Sequence, residues 1–233
     1  MILDLKNIIN SISSLDYVIV KLSPAFPNYS PGSDIDIFST DPDRVLSQIS
    51  AQLNSYVCSN QFVRFTQGVW YYHLDFIVNQ RIDFRFDICF AMPIYKRCNA
   101  KEFYFSKVIF SGVKVMHNDV ILKVPSNVDE CVLRYLEYNE YFALLPNKIK
   151  HAEFINNKFL NSATSFEEYF YDYLNYVISF PPHIPKTKKL GFIISYLKSL
   201  RFYGKKIRSA FMTGGMSLVL SKINQFFSNK RKL

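Results

Sequence analysis

Asp34 and Asp36 stand one residue apart in Gly32-Ser33-Asp34-Ile35-Asp36-Ile37-Phe38. In an extended chain that spacing puts both carboxylates on one face and Ile35 and Ile37 on the other. Like charges this close raise each other's pKa unless a cation sits between them, and a hard divalent ion with oxygen ligands suits the position. An ordinary edge strand with a solvated acidic face has the same spacing, so the motif alone leaves both readings open.

A second stretch bears on the choice. Arg81-Ile82-Asp83-Phe84-Arg85-Phe86-Asp87-Ile88 alternates strictly, with Ile82, Phe84, Phe86 and Ile88 on one side and Arg81, Asp83, Arg85 and Asp87 on the other. Before it runs the β-rich segment Trp70 to Val78, with Asn79-Gln80 as the turn. A register that joins Ile77 or Asp75 to Asp83 would gather His73, Asp75, Asp83, Arg85 and Asp87 on one face, leaving Leu74, Phe76 and Val78 on the apolar one. Such a register calls for an odd-length loop of about three residues, because a one-residue slip turns every side chain over. A charged outer face of a hairpin, its arginines neutralising its aspartates, is the competing reading. Asp75 and Asp87 read as structural partners of arginine, and His73 as a satisfied strand histidine or, if it faces the site, a support residue.

These residues resemble the DNA polymerase β-like nucleotidyltransferase superfamily, whose signature is a Gly-Ser, then Asp-x-Asp on one strand, then a third Asp on a neighbouring strand. The resemblance rests on Gly32-Ser33-Asp34-Ile35-Asp36 and on Arg81-Ile82-Asp83-Phe84-Arg85, and it covers roughly the first 90 residues. Many members grip the triphosphate with a Gly-Ser about ten residues before the acids. Here Lys21-Leu22-Ser23 and a Pro-rich segment lie there, and Gly32-Ser33 abuts the acids. Lys21, Ser23 and Ser33 are the replacements the sequence offers.

The resemblance implies a reaction. Asp34 and Asp36 would chelate two Mg²⁺ (or Mn²⁺), the arrangement in which one ion holds the donor's phosphates and the other activates a hydroxyl. Asp83 would share the second metal and accept the hydroxyl proton. Arg81 or Arg85 would orient Asp83 or meet the charge on the transferred phosphorus. The implied partners are a nucleotide donor and a hydroxyl acceptor. The sequence also resembles short nucleotidyltransferase-fold proteins of bacterial surface-polysaccharide pathways, which implies a glycan or small-molecule acceptor. A metal-dependent glycosyltransferase using a nucleotide sugar is one alternative, although its Asp-x-Asp usually ends a hydrophobic strand. A catalytically silent binding module on the same fold is another.

Positioning such residues requires a sheet. Leu3 to Leu15 reads as a helix and Tyr17 to Leu22 as a buried strand, after which Pro24, Pro27 and Pro31 forbid regular structure up to the acidic turn. Asp41 followed by Pro42 marks the start of a helix to about Tyr56. Strands around 61–67, 70–78 and 81–90 follow, then a hairpin from Val108 to Val124 turning at His117-Asn118-Asp119. A long helix runs from about Val128 to Leu144. The expected fold class is α+β, a nucleotidyltransferase-like mixed sheet with helices followed by a mainly helical C-terminal part. The domain boundary is expected near Pro125, with a catalytic domain over 1–125 and a helical acceptor-positioning region over 126–233.

With 233 residues, 49% of them hydrophobic, the chain has enough apolar material for one sizeable core or two small domains. Cys58, Cys89, Cys98 and Cys131 have no metal-like or redox-like spacing, and His117 and His151 lack partners at zinc spacing. No Gly-rich phosphate loop occurs. No secretory leader or spanning helix is indicated, so the expected location is the cytoplasm.

The net charge of +9 is divided unevenly: residues 186–233 hold 12 Lys and Arg and no acid, which leaves 16 positive against 19 negative charges in residues 1–185. Phe192, Ile193, Tyr196, Leu197 and Leu200 recur at helical spacing among Lys198, Arg201, Lys205, Lys206 and Arg208, a basic amphipathic pattern. A helix packed on the core with a basic outer face, attachment to an anionic membrane surface at the inner face, and nucleic-acid backbone binding all fit it. The acidic remainder of the chain disfavours a polynucleotide acceptor.

Overall fold

Apolar spacing builds the first elements. In a computed structural model that describes residues 3–95, 100–141, 148–159 and 172–174, helix α1 (Leu5–Ser11) buries Leu5, Ile8 and Ile9 along one stripe, and Asp4 caps it by accepting from the Asn7 amide at 3.1 Å. Helix α2 (Pro42–Asn54) starts at the expected proline and buries Val45, Ile49 and Leu53. Asp41 before it makes no side-chain cap and instead takes Arg44 at 3.3 Å.

Strands β1 (Tyr17–Val20), β2 (Ser33–Ser39), β3 (Gln61–Gln67), β4 (Tyr71–Val78) and β5 (Arg81–Cys89) form one sheet in the order β1-β2-β5-β4-β3. β2 and β5 run parallel and the other neighbours antiparallel, so the sheet is mixed and the architecture is α+β, as the sequence implies. Ile35 and Ile37 of β2 and Phe84, Phe86 and Ile88 of β5 join the α1 and α2 stripes in one core, on one face of the sheet. The opposite face carries the polar residues.

The hairpin between β4 and β5 departs from the sequence expectation. Its loop has two residues, Asn79 and Gln80, both at positive φ (48° and 63°), with Val78 paired to Arg81. Left uninterrupted, that even-length loop would set Asp75 across from Phe84 and bury the wrong set of side chains. A bulge corrects the parity: Phe76 pairs with Phe84 and Ile77 with Ile82, so Asp83 is the extra residue with no partner on β4. Beyond it Asp75 faces Arg85 and His73 faces Asp87.

Helix α3 (Tyr104–Phe110) replaces the start of the expected 108–124 hairpin, which is confined to β6 (Val113–His117) and β7 (Val120–Val124) around Asn118 and Asp119. On the polar side of the sheet, Phe105 of α3 meets Phe38 at 5.1 Å. Helix α4 (Asn127–Tyr141) follows, then α5 (Ile149–Phe159).

The chain divides into two compact units, residues 1–93 with 101–130, and residues 94–100 with 131–233. In the first, the fully buried carboxylate of Asp129 accepts from Tyr104 Oη (2.9 Å), Lys107 Nζ (2.6 Å), Ser111 Oγ (3.0 Å) and Ser126 Oγ (2.5 Å). In the second, Glu137 pairs with Lys148 at 2.7 Å and with buried His151 at 3.1 Å. The Pro181–Pro185 linker and the basic run 186–233 lie outside the described residues. Among the described residues no helix is long and apolar enough to cross a membrane.

Candidate functional site

Parallel pairing of β2 with β5 creates the site. Its register sets Asp34 across from Arg85 and Asp36 across from Asp87, and neighbouring strands lie roughly 4.8 Å apart. Asp36 and Asp87 are therefore the facing carboxylates, with Asp34 two residues away on the same face.

Asp87 is the strained member. Its Oδ1 is buried and accepts no hydrogen bond, although His73 Nε2 is 3.4 Å away and Arg85 Nε 3.7 Å. Burial pushes its carboxyl well above the usual range, and repulsion from Asp36 adds to the rise; Arg85 opposes it, while Asp34 and Asp75 push it further up. Asp36 is held by Lys21, whose Nζ lies 2.8 Å from Oδ2. Lys21 follows β1 with φ at 57°, a left-handed backbone rare for a side chain of its size.

Arg85 does not serve the acids alone. It donates to Asp75 through Nε at 2.5 Å and through the guanidinium nitrogen at 3.0 Å, and Arg64 joins the same carboxylate at 2.6 and 3.1 Å. Burial of Asp75 would push its carboxyl up, yet the hydrogen bonds and charges of Arg85 and Arg64 outweigh this and hold it below the ordinary range. Asp75 is thus an arginine partner, as the charged-face reading has it.

Asp83 is placed differently from the expectation. It is the bulge residue, and its Oδ2 accepts from Tyr29 Oη at 2.6 Å, while Tyr29 packs edge-on against core Phe84 at 4.8 Å. Tyr29 Oη also accepts the Leu3 amide at 3.1 Å. The residue consumed in correcting the strand parity is the one the family resemblance implied as third acid, and the carboxylate facing Asp36 is Asp87.

The remaining expected residues separate into turn formers and site formers. Gly32, at φ 84°, donates its amide to the Asp83 carbonyl at 2.8 Å, and Ser33 Oγ accepts the Ser30 amide at 3.2 Å. Ser23 Oγ accepts the Ala25 amide at 3.3 Å. All three shape the loop before β2. Arg81 is exposed at the hairpin end, six residues from Asp87 and so roughly 20 Å along the strand. Of the expected cations, Lys21 and Arg85 reach the acids.

All-oxygen donors, two facing like charges and a buried oxygen without a hydrogen-bond donor match a hard divalent cation in kind. Among the described residues, no group of three His, Cys, Asp or Glu side chains is already arranged as a metal cage. Lys21, His73 and Arg85 hold the acids instead. Asp36 and Asp87, with Asp34 beside them, are the residues that would bind such an ion.

No protein-family model matches the chain, and no curated protein matches it. Among solved structures, the chain is similar to a candidate nucleotidyltransferase from H. pylori at 8% identity and a TM-score of 0.28, over 84% of this chain and 92% of that one.

Proposed function

We propose that this chain is a metal-dependent nucleotidyl- or phosphoryl-group transferase that moves its group from a nucleotide donor to a hydroxyl. The observation that carries the reading is the pairing of Asp36 with Asp87 across parallel strands, with Asp34 on the same face and the Asp87 Oδ1 buried without a hydrogen-bond donor. A divalent ion bound there supplies charge neutralisation for the donor's phosphates and a lowered pKa for the attacking hydroxyl.

The chain's own residues do the rest. Asp87, facing Asp36 across the parallel strands, is placed to take the proton of an acceptor hydroxyl. His73 Nε2 stands 3.4 Å from its Oδ1, close enough to hydrogen-bond it on a small rotation of the ring. Arg85, held by Asp75, provides a positive charge beside the acids, and Lys21, paired with Asp36, provides a second that a donor phosphate would share. The acceptor in this reading is a small molecule or glycan, because residues 1–185 carry 16 positive against 19 negative charges and would not attract a polynucleotide. The basic run 186–233 would hold the protein at an anionic membrane surface.

A screen of nucleoside triphosphates, CDP-linked alcohols and UDP-sugars for Mg²⁺- or Mn²⁺-dependent turnover tests the reading. Turnover with a triphosphate or CDP-alcohol that disappears in Asp36→Asn and Asp87→Asn is the expected result. Turnover of UDP-sugars alone would make the protein a glycosyltransferase. Absence of metal binding that depends on Asp36 and Asp87 would leave a silent binding module.

A further inference from the structure

Next to Asp87 the polar face of the sheet carries a row of aromatic rings that the core does not need. Trp70 stands edge-on to Tyr71 at 4.6 Å (69°), Tyr71 stacks on His73 at 4.1 Å (22°), and His73 Nε2 lies 3.4 Å from Asp87 Oδ1. The core rings Phe76, Phe84 and Phe86 are buried on the other face, whereas Trp70, Tyr71 and His73 are only half-buried. Val69, next in the chain, is 85% exposed.

The row is also built with care. Gly68 donates its amide to the Tyr71 carbonyl at 2.8 Å, and a Cβ placed on it would meet the Tyr71 ring at 2.4 Å, so glycine there lets the ring lie against the backbone. The Phe90 amide, donating to the Trp70 carbonyl at 3.1 Å, ties the turn to the end of β5. Tyr71 pairs with Cys89, two residues along β5 from Asp87. Trp70, tied to Phe90, is three residues of strand from Asp87, roughly 10 Å, a separation that a ribose and its first phosphate bridge.

We infer that Trp70, the half-buried end of a row whose Tyr71 is packed between His73 and Gly68, seats the planar base of a nucleotide whose phosphates reach Asp36 and Asp87. The inference rests on the transferase reading above and adds the residues that recognise the donor. Aromatic stacking accepts any base because every base has a π face, so the row supplies affinity for nucleotides as a class.

Trp70 is the chain's only tryptophan, which makes its emission a direct report. The experiment titrates the full chain with ATP, GTP, CTP and UTP in Mg²⁺, and separately with inorganic tripolyphosphate, following Trp70 fluorescence and, by calorimetry, affinity. At least one nucleotide is expected to bind and change the emission. Trp70→Ala and Gly68→Ala should weaken that nucleotide roughly tenfold or more while leaving tripolyphosphate affinity unchanged. Trp70 is half-buried and its replacement keeps the fold, which thermal melting checks. Nucleotide binding that leaves the emission unchanged, or that is equally tight in Trp70→Ala, overturns the base seat and leaves the transferase reading standing. If neither nucleotides nor tripolyphosphate bind in a manner dependent on Asp36 and Asp87, the transferase reading falls and the base seat with it.

Discussion

Asp87 lies directly across from Asp36 on parallel strands, and its buried Oδ1 accepts no hydrogen bond. Two carboxylates so placed repel each other in a partly dry environment, and the fold retains them without a neutral substitute. That relationship separates Asp87 from Asp83, which a bulge hands over to Tyr29.

Asp36→Asn and Asp87→Asn are each expected to lower metal-dependent transfer by at least roughly a hundredfold, since even outer-shell changes at metal sites have effects near that size. Asp83→Asn should leave turnover close to the parent. Its effect is on stability, where loss of the charged hydrogen bond from Tyr29 removes about 1–3 kcal/mol. Turnover assays paired with urea denaturation decide the assignment, and the reverse pattern would restore Asp83 as the third acid.

Asp75 and Asp87 on the polar face should respond in opposite directions. Asp75→Asn leaves Arg64 and Arg85 without their shared carboxylate, a loss of about 3–5 kcal/mol by analogy with other broken buried pairs. Asp87→Asn removes a repelled buried charge and should raise stability by about 0.5–2 kcal/mol. Melting temperatures of the two variants at neutral pH give the signs directly.

The pH dependence follows from the same pair. The Asp75 carboxyl is held below its ordinary value, so its stabilisation is present above the unfolded-state pKa of about 3.9 and disappears as pH falls through the native value. The Asp87 carboxyl is raised, so the native state binds the extra proton and stability falls as pH rises from about 4 through the native pKa of Asp87. Urea denaturation across pH should show that falling limb in the parent and lose it in Asp87→Asn. A limb that persists in the variant would assign it to another group.

Asp129 anchors α3 to the start of α4 through Tyr104, Lys107, Ser111 and Ser126. Asp129→Ala strands the Lys107 ammonium beside a cavity, and the expected loss is about 3–5 kcal/mol. Chemical denaturation measures it, and a change below 1 kcal/mol, about the value of an exposed pair, would show the cluster to be open to water.

Replacing Lys198, Arg201, Lys205, Lys206 and Arg208 by Glu reverses five of the twelve positive charges of the C-terminal run. With each cation contributing about 1 kcal/mol near an anionic surface, flotation with liposomes containing phosphatidylserine should be abolished. Unchanged flotation would remove the membrane from the proposed function.

Much of this molecule is dictated locally. The Asp34-Ile35-Asp36-Ile37 alternation puts the acids on one face and the isoleucines in the core, and Asp41-Pro42 starts α2, because period-two side-chain geometry and the proline ring act within a few residues. The strand positions around 61–67, 70–78 and 81–90 follow from the same alternation. What the alternation of β5 left undecided is which of Asp83 and Asp87 belongs with Asp36. That depends on the stagger between two strands nearly fifty residues apart and on a bulge whose presence is a property of the pair. A two-residue turn at Asn79-Gln80 gives the wrong parity, and the apolar side chains of β4 and β5 can share one core only if a residue is left over. Asp83 became that residue, and the tertiary packing, by requiring Leu74, Phe76, Phe84 and Phe86 on one side, chose Asp87 for the other.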